Sequence, residues 1–162
     1  MKGNCDKCGM TNCALKGLDK INKSQNILTI KSLKDVKKQV ETDLPQIQFE
    51  GMLSRIKFCN IDKFGEFRVS KPSYTEVYSL NRMFCQEKVN LAFYALRHIN
   101  EWNFIDIPKY EATKEGHETK PGIVDSFWRG YAQFNDLKIE FVLRSNNMGK
   151  AYYLHNVVVN DL

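Results

Sequence analysis

Phe127-Trp128-Arg129-Gly130-Tyr131-Ala132-Gln133-Phe134, Asn135-Asp136, then Leu137-Lys138-Ile139-Glu140-Phe141-Val142-Leu143-Arg144 is the stretch that decides the fold. Two alternating runs flank an Asn-Asp pair, the pattern of two antiparallel strands joined by a two-residue turn. Alternation then sorts the side chains. Trp128, Gly130, Ala132 and Phe134 share a face with Leu137, Ile139, Phe141 and Leu143, and this is the core face. Arg129, Tyr131 and Gln133 share the other with Lys138, Glu140 and Arg144, which is polar, cationic and aromatic. Ser145-Asn146-Asn147-Met148-Gly149 turns the chain again, and Ala151–Val159 predicts a third strand of the meander.

Upstream, Ser73-Tyr74-Thr75-Glu76 matches a capping box, in which a serine oxygen and a glutamate satisfy backbone N–H groups at a helix start. Val77, Leu80, Phe84, Leu91, Ala95, Ile99 and Trp102 follow at helical steps, with Lys88 interrupting. They predict one long helix over about 74–100, with a break allowed near Gln86. Ser32-Leu33-Lys34-Asp35 opens a shorter helix carrying Leu33, Val36, Val40 and Leu44, and Pro45 stops it. Ile27–Ile30 reads as a short strand, as do Ile47–Phe49 or Leu53–Cys59, and Phe64–Val69. Residues 103–126 read as polar and irregular, punctuated by Pro108, Gly116, Pro121 and Gly122. The expected architecture is α+β: an antiparallel C-terminal β-meander packed against a long helix, with a short N-terminal helix and a Cys-rich arm. Residues 1–26 form the Cys/Lys-rich arm and 27–162 a single domain.

The chain has 162 residues, enough for one real core. Ten Phe, seven Tyr and two Trp exclude global disorder. No apolar run approaches the roughly 20 residues of a membrane helix, so no membrane partner is expected. Net charge is +5, and residues 1–45 carry most of it, with nine lysines against five acids. Such a segment permits phosphate contact without establishing it. The start, Met1-Lys2-Gly3-Asn4-Cys5, lacks the apolar stretch of a secretory signal. The five cysteines therefore read as reduced thiols of a cytoplasmic protein.

Cys5, Cys8 and Cys13 have spacing that lets three thiolates reach one tetrahedral metal, so a structural zinc, a redox role and a free arm all stay open. Cys59 and Cys85 read as core thiols. His98 stands three residues before Glu101 on the long helix and shares its face. His117 and Lys120 lie in a polar loop, and His155 lies on the last strand. One register sets His155 opposite Ile139 and a one-residue shift sets it opposite Glu140. A histidine, a carboxylate and a nearby cation suffice for metal-free RNA cleavage. The candidate catalytic set is therefore His98, Glu101, His117, Lys120, Arg129 and His155, with no cofactor required. Tyr131, Lys138 and Arg144 are candidates for nucleic-acid contact, because cations interleaved with a ring suit phosphates and bases. Dinucleotide, Walker and zincin motifs are absent.

The succession Tyr94-Ala95-Leu96-Arg97-His98, Lys120, Phe127–Ala132, Lys138–Arg144 and Gly149-Lys150-Ala151-Tyr152-Tyr153-Leu154-His155-Asn156-Val157 resembles a known group. It looks like the small C-terminal domains of phage and mobile-element polyvalent proteins, relatives of the barnase–EndoU–colicin–RelE-like nucleases. The likeness covers about residues 85–160. It implies a four- or five-stranded antiparallel sheet against N-terminal helices, and a metal-independent ribonuclease or a binding relative of one. No fixed catalytic signature transfers from it, and the Cys-rich arm has no counterpart in it. Three readings follow: a ribonuclease-like toxin or effector, a non-catalytic inhibitor or anti-defence factor, and a zinc-clipped nucleic-acid adaptor. The partner is RNA or a protein. The first reading expects its histidines or Arg129 to converge, and the second expects them scattered.

Overall fold

The structure, a computed structural model, describes residues 29–49, 52–62, 64–111, 126–145 and 151–161. In chain order it runs α1 (Leu33–Asp43), β1 (Gln46–Phe49), β2 (Met52–Ile61), β3 (Gly65–Ser70), α2 (Lys71–Arg82) and α3 (Gln86–Arg97). A 3-10 turn (Ile99–Glu101) leads to β4 (Asn103–Glu111), β5 (Ser126–Phe134), β6 (Leu137–Ser145) and β7 (Tyr152–Asp161). The class is α+β, and β5, β6 and β7 form the expected meander. The sheet order is β1-β2-β3-β7-β6-β5-β4, antiparallel except where β3 lies parallel to β7.

The hairpin is the one the alternation predicts. Trp128 pairs with Leu143, Gly130 with Phe141, Ala132 with Ile139 and Phe134 with Leu137. Asn135 takes the left-handed turn position at φ 50°. The core face is concave. Phe67 of β3 and Phe104 of β4 are four strands apart in the order, about 19 Å in a flat sheet. Their ring centroids are 6.4 Å apart, and both rings meet Phe141. The sheet has thus coiled toward a barrel around one aromatic core.

α3 fills the core. Leu91 to Leu96 are all buried, the mark of a helix covered on every side. Trp102 follows it and donates from Nε1 to the Ala95 carbonyl at 2.8 Å. α1 is capped as expected, with Ser32 and Asp35 exchanging bonds. Tyr74 Oη donates to Asp43 Oδ2 at 3.0 Å and ties α1 to α2.

Several expectations are corrected. The long helix is two helices, broken at Met83–Cys85 near the allowed point. Phe84, expected in the apolar stripe, sits in this break, 52 % exposed. α2 starts at Lys71, before Ser73-Tyr74-Thr75-Glu76; Pro72 sits in its first turn, and Ser73 Oγ accepts from the Ser70 N–H. Glu76 is thereby released from capping. Thr29 and Ile30 are not strand. The Ile30 N–H donates to Asn90 Oδ1 and its carbonyl accepts from Gln86 Nε2, so amide side chains replace a ladder. Residues 103–111 form an edge strand, where Pro108 is tolerated because it falls in a register shift between Asp106 and Lys109. Cys59 is a buried free thiol, whereas Cys85 is disulfide-bonded.

Candidate functional site

β7 contains the site's main irregularity. Leu143 pairs with Leu154 but Val142 pairs with Asn156, so His155 is the extra residue of a bulge. Neither expected register occurs: Ile139 faces Val159 and Glu140 faces Val158. The reason is burial. Leu154, Val157 and Val159 all enter the core, and the three-residue step from 154 to 157 requires one residue to be looped out.

The bulge turns His155 toward α2. Its Nδ1 lies 2.9 Å from Glu76 Oε2. Arg144 Nη1 lies 3.8 Å from Glu76 Oε1, and both side chains are about four-fifths buried or a little less. Phe127 closes the group: its ring meets His155 edge-on at 5.6 Å, and the Arg144 guanidinium lies 5.7 Å from its centre. The tautomer that donates from Nδ1 to the Glu76 carboxylate carries its lone pair on Nε2, where a base would act. The Arg144 charge stands beside it. Histidine, carboxylate and cation thus come from β7, α2 and β6.

Asn81 anchors the same corner. It is buried and donates from Nδ2 to the Val157 carbonyl at 3.1 Å and to Asn156 Oδ1 at 3.3 Å. Asn156 Oδ1 also accepts the Val157 N–H. These bonds fix α2 against the bulge.

His98 belongs elsewhere. It caps α3, with Nδ1 3.2 Å from Glu101 Oε2 and its ring stacked on Phe134 at 5.0 Å. Phe127 and Phe134 stand at opposite ends of β5, about 23 Å apart at a strand's rise per residue. His98 and His155 are therefore not brought together. Arg129 is paired with Glu140 at 3.1 Å. Lys138 lies over the Tyr131 ring at 4.6 Å, on the same outer face as Arg144. His117, Lys120, Cys5, Cys8 and Cys13 lie outside the described residues. Among the described residues no group of three or more His, Cys, Asp or Glu is placed to hold a metal. No described helix is long and apolar enough to cross a membrane.

Sequence reasoning passed over Glu76 and Phe127, one assigned to a cap and the other to the strand's start. The broken apolar spacing at Leu154-His155-Asn156-Val157 was the signal for the bulge. A separate cleft of about 530 Å³ between α1 and the start of α2 is lined by Lys37, Glu41, Arg55 and Lys71 and contains none of the candidate residues.

No protein-family model matches the chain, and no curated protein or solved structure matches it.

Proposed function

We propose that the chain is a metal-independent ribonuclease-like domain, a cytoplasmic toxin or effector of the phage and mobile-element kind. The observation that carries this is the Glu76–His155 pair at 2.9 Å with Arg144 beside it. In this reading His155 Nε2 takes the proton of a ribose 2′-hydroxyl. The freed oxygen attacks the adjacent phosphorus, and the 5′ oxygen leaves with a proton from water. The products are a 2′,3′-cyclic phosphate and a 5′-hydroxyl. Glu76 holds the imidazole, and Arg144 balances charge on the five-coordinate phosphorus. The resemblance to the nuclease group supports the same reading. A structural zinc on Cys5, Cys8 and Cys13 is a separate proposal for the reduced chain, in which the Cys85 disulfide is open, and metal analysis of protein purified with reductant reads it out.

The test is cleavage of labelled single-stranded and structured RNA in EDTA. Wild type is expected to cut. His155→Ala should lose about 100-fold or more of the rate, the contribution of a positioned base, while His98→Ala keeps it. No cleavage in any buffer overturns the reading. A second reading, a non-catalytic inhibitor or anti-defence factor, is favoured by one observation: the two described histidines hold opposite ends of β5.

A further inference from the structure

The pairings across the outer face align one residue from each of five strands. Phe58 of β2 pairs with Arg68 of β3, and Arg68 pairs with Tyr153 of β7. Tyr153 pairs with Arg144 of β6, and Arg144 pairs with Phe127 of β5. Direct partners project from the same face, so Phe58, Arg68, Tyr153, Arg144 and Phe127 form a row of alternating ring and guanidinium. At an inter-strand step of about 4.8 Å it is about 19 Å long, and its rings recur about every 10 Å. Two guanidinium groups already lie near rings of the row, Arg68 at 5.8 Å from Phe58 and Arg144 at 5.7 Å from Phe127. One end is open: Phe58 is 47 % exposed in mid-strand and Arg68 is exposed beside it. The other end meets the Glu76–His155 pair, where Phe127 touches His155.

We infer that this row is the track for single-stranded RNA, laid across the strands from Phe58 to His155. This rests on the reading that His155 acts on RNA, and it names the class of substrate. The Phe58 ring presents a surface to an unpaired base, and the exposed Arg68 guanidinium beside it meets a phosphate. Arg144, mostly buried against Glu76, stands where the strand reaches His155. The charge complements a polyanion, which an apolar protein partner would not require. A duplex is excluded by its own geometry, because its bases are stacked on one another and closed to rings on a sheet.

The test separates binding from cleavage. A labelled single strand of about 12 nucleotides, the span of one small binding face, carries 2′-O-methyl riboses and so cannot be cut by its own 2′ oxygen. Its affinity is read by fluorescence anisotropy over a salt series, beside the same strand in a duplex. Wild type should prefer the single strand. Phe58→Ala should weaken binding by about 5- to 150-fold, the range for loss of one stacking ring, and Phe58→Tyr should restore it. Arg68→Ala should weaken binding and lower the salt slope by about 0.7, the loss of one phosphate contact. Lys34→Ala, on exposed α1, should leave binding unchanged. Circular dichroism confirms that these surface variants fold. Equal affinity for the duplex, wild-type binding by both alanine variants, or no binding overturns the track. If the single strand binds along the row but RNA is not cut, the track stands and the nuclease reading falls. If RNA is cut and the row variants bind and cut as wild type, the track falls alone.

Discussion

Gly130 stands on the core face of β5, directly opposite Phe141, whose ring lies over it. A Cβ at this position would meet Phe141 Cζ at 2.6 Å. Phe141 is fully buried and packed against Phe67, Trp102 and Phe104, so it has little room to yield. Gly130→Ala should therefore cost about 1–3 kcal/mol of stability, the usual effect of overpacking. Denaturant unfolding measures this, and Phe141→Leu in the same chain should make the added methyl cheaper. A wild-type midpoint for the single variant would show that the ring moves freely. Cys59 gives a second expectation. Burial pushes its thiol up to about 11, because a thiolate is poorly solvated in the core. Its contribution is fully present below the ordinary thiol value near 9.0 and is lost as pH rises toward about 11. By pH 10 the loss should be about 1 kcal/mol. Tyr74 is also pushed up by burial and by Asp43, and adds its own loss above the ordinary tyrosine value of 10.0. Lys88, held below its ordinary value by burial, and the raised tyrosines also titrate toward this range. The difference between wild type and Cys59→Ala over about pH 8 to 10 therefore isolates the thiol, and the variant should lose less stability as pH rises. An equal slope in the variant would remove Cys59 as its source.

At the scale of elements, the join between α2 and β7 decides whether the candidate site exists. β3 pairs with β7 only at Tyr152 and Tyr153, and α2 packs against β7 beyond that point. Asn81 donates to the Val157 carbonyl there, where a neighbouring strand would otherwise do so. Asn81→Leu should cost about 1–3 kcal/mol, because it leaves this buried carbonyl without its partner. It should also loosen Glu76 relative to His155, so RNA cleavage should fall more than RNA binding does. Stability and cleavage measured on the same variant check this, and loss of both binding and cleavage in a folded protein would contradict it. The expected helix over about 74–100 shows how an element is misread. The apolar steps through Phe84 suit one rod, yet α3 must enter the concave face while α2 lies along β7. The chain therefore breaks at Met83–Cys85, which turns Met83 and Phe84 outward. β4 was illegible for the opposite reason. Pro108 and poor alternation argue against a strand, but an edge position with register shifts accommodates both.

For the whole molecule, the parallel contact between β3 and β7 matters most. It joins the N-terminal strands to the C-terminal meander in one sheet. It sets Arg68 beside Tyr153, and so completes the row on the outer face from residues 58 to 153. The same closure carries Phe67 over to Phe104 and encloses α3. The result has two faces with different duties. The concave one is filled by rings and by a helix buried on all sides, while the convex one carries Phe58, Arg68, Arg129, Tyr131, Lys138 and Arg144. His98 and His155 are kept apart by the length of β5, which assigns any acid–base chemistry to one of them at a time.

By itself the sequence determined what depends on neighbours in the chain. Alternation along 127–144 assigned both faces of the hairpin, Asn135-Asp136 placed its turn, and Ser32 with Asp35 began α1 and Pro45 ended it. It also placed His98 near Glu101, although the contact runs from the cap of α3 to the 3-10 turn and not along one helix face. Only the tertiary structure decided what depends on distant partners. The register of β7 followed from which of Leu154, Val157 and Val159 the core would take, and that choice looped out His155. Glu76 and His155 are 79 residues apart, and no local pattern relates them. Their meeting required the curl of the sheet, the break after α2 and the parallel contact of β3 with β7, each set by burial summed over the whole core.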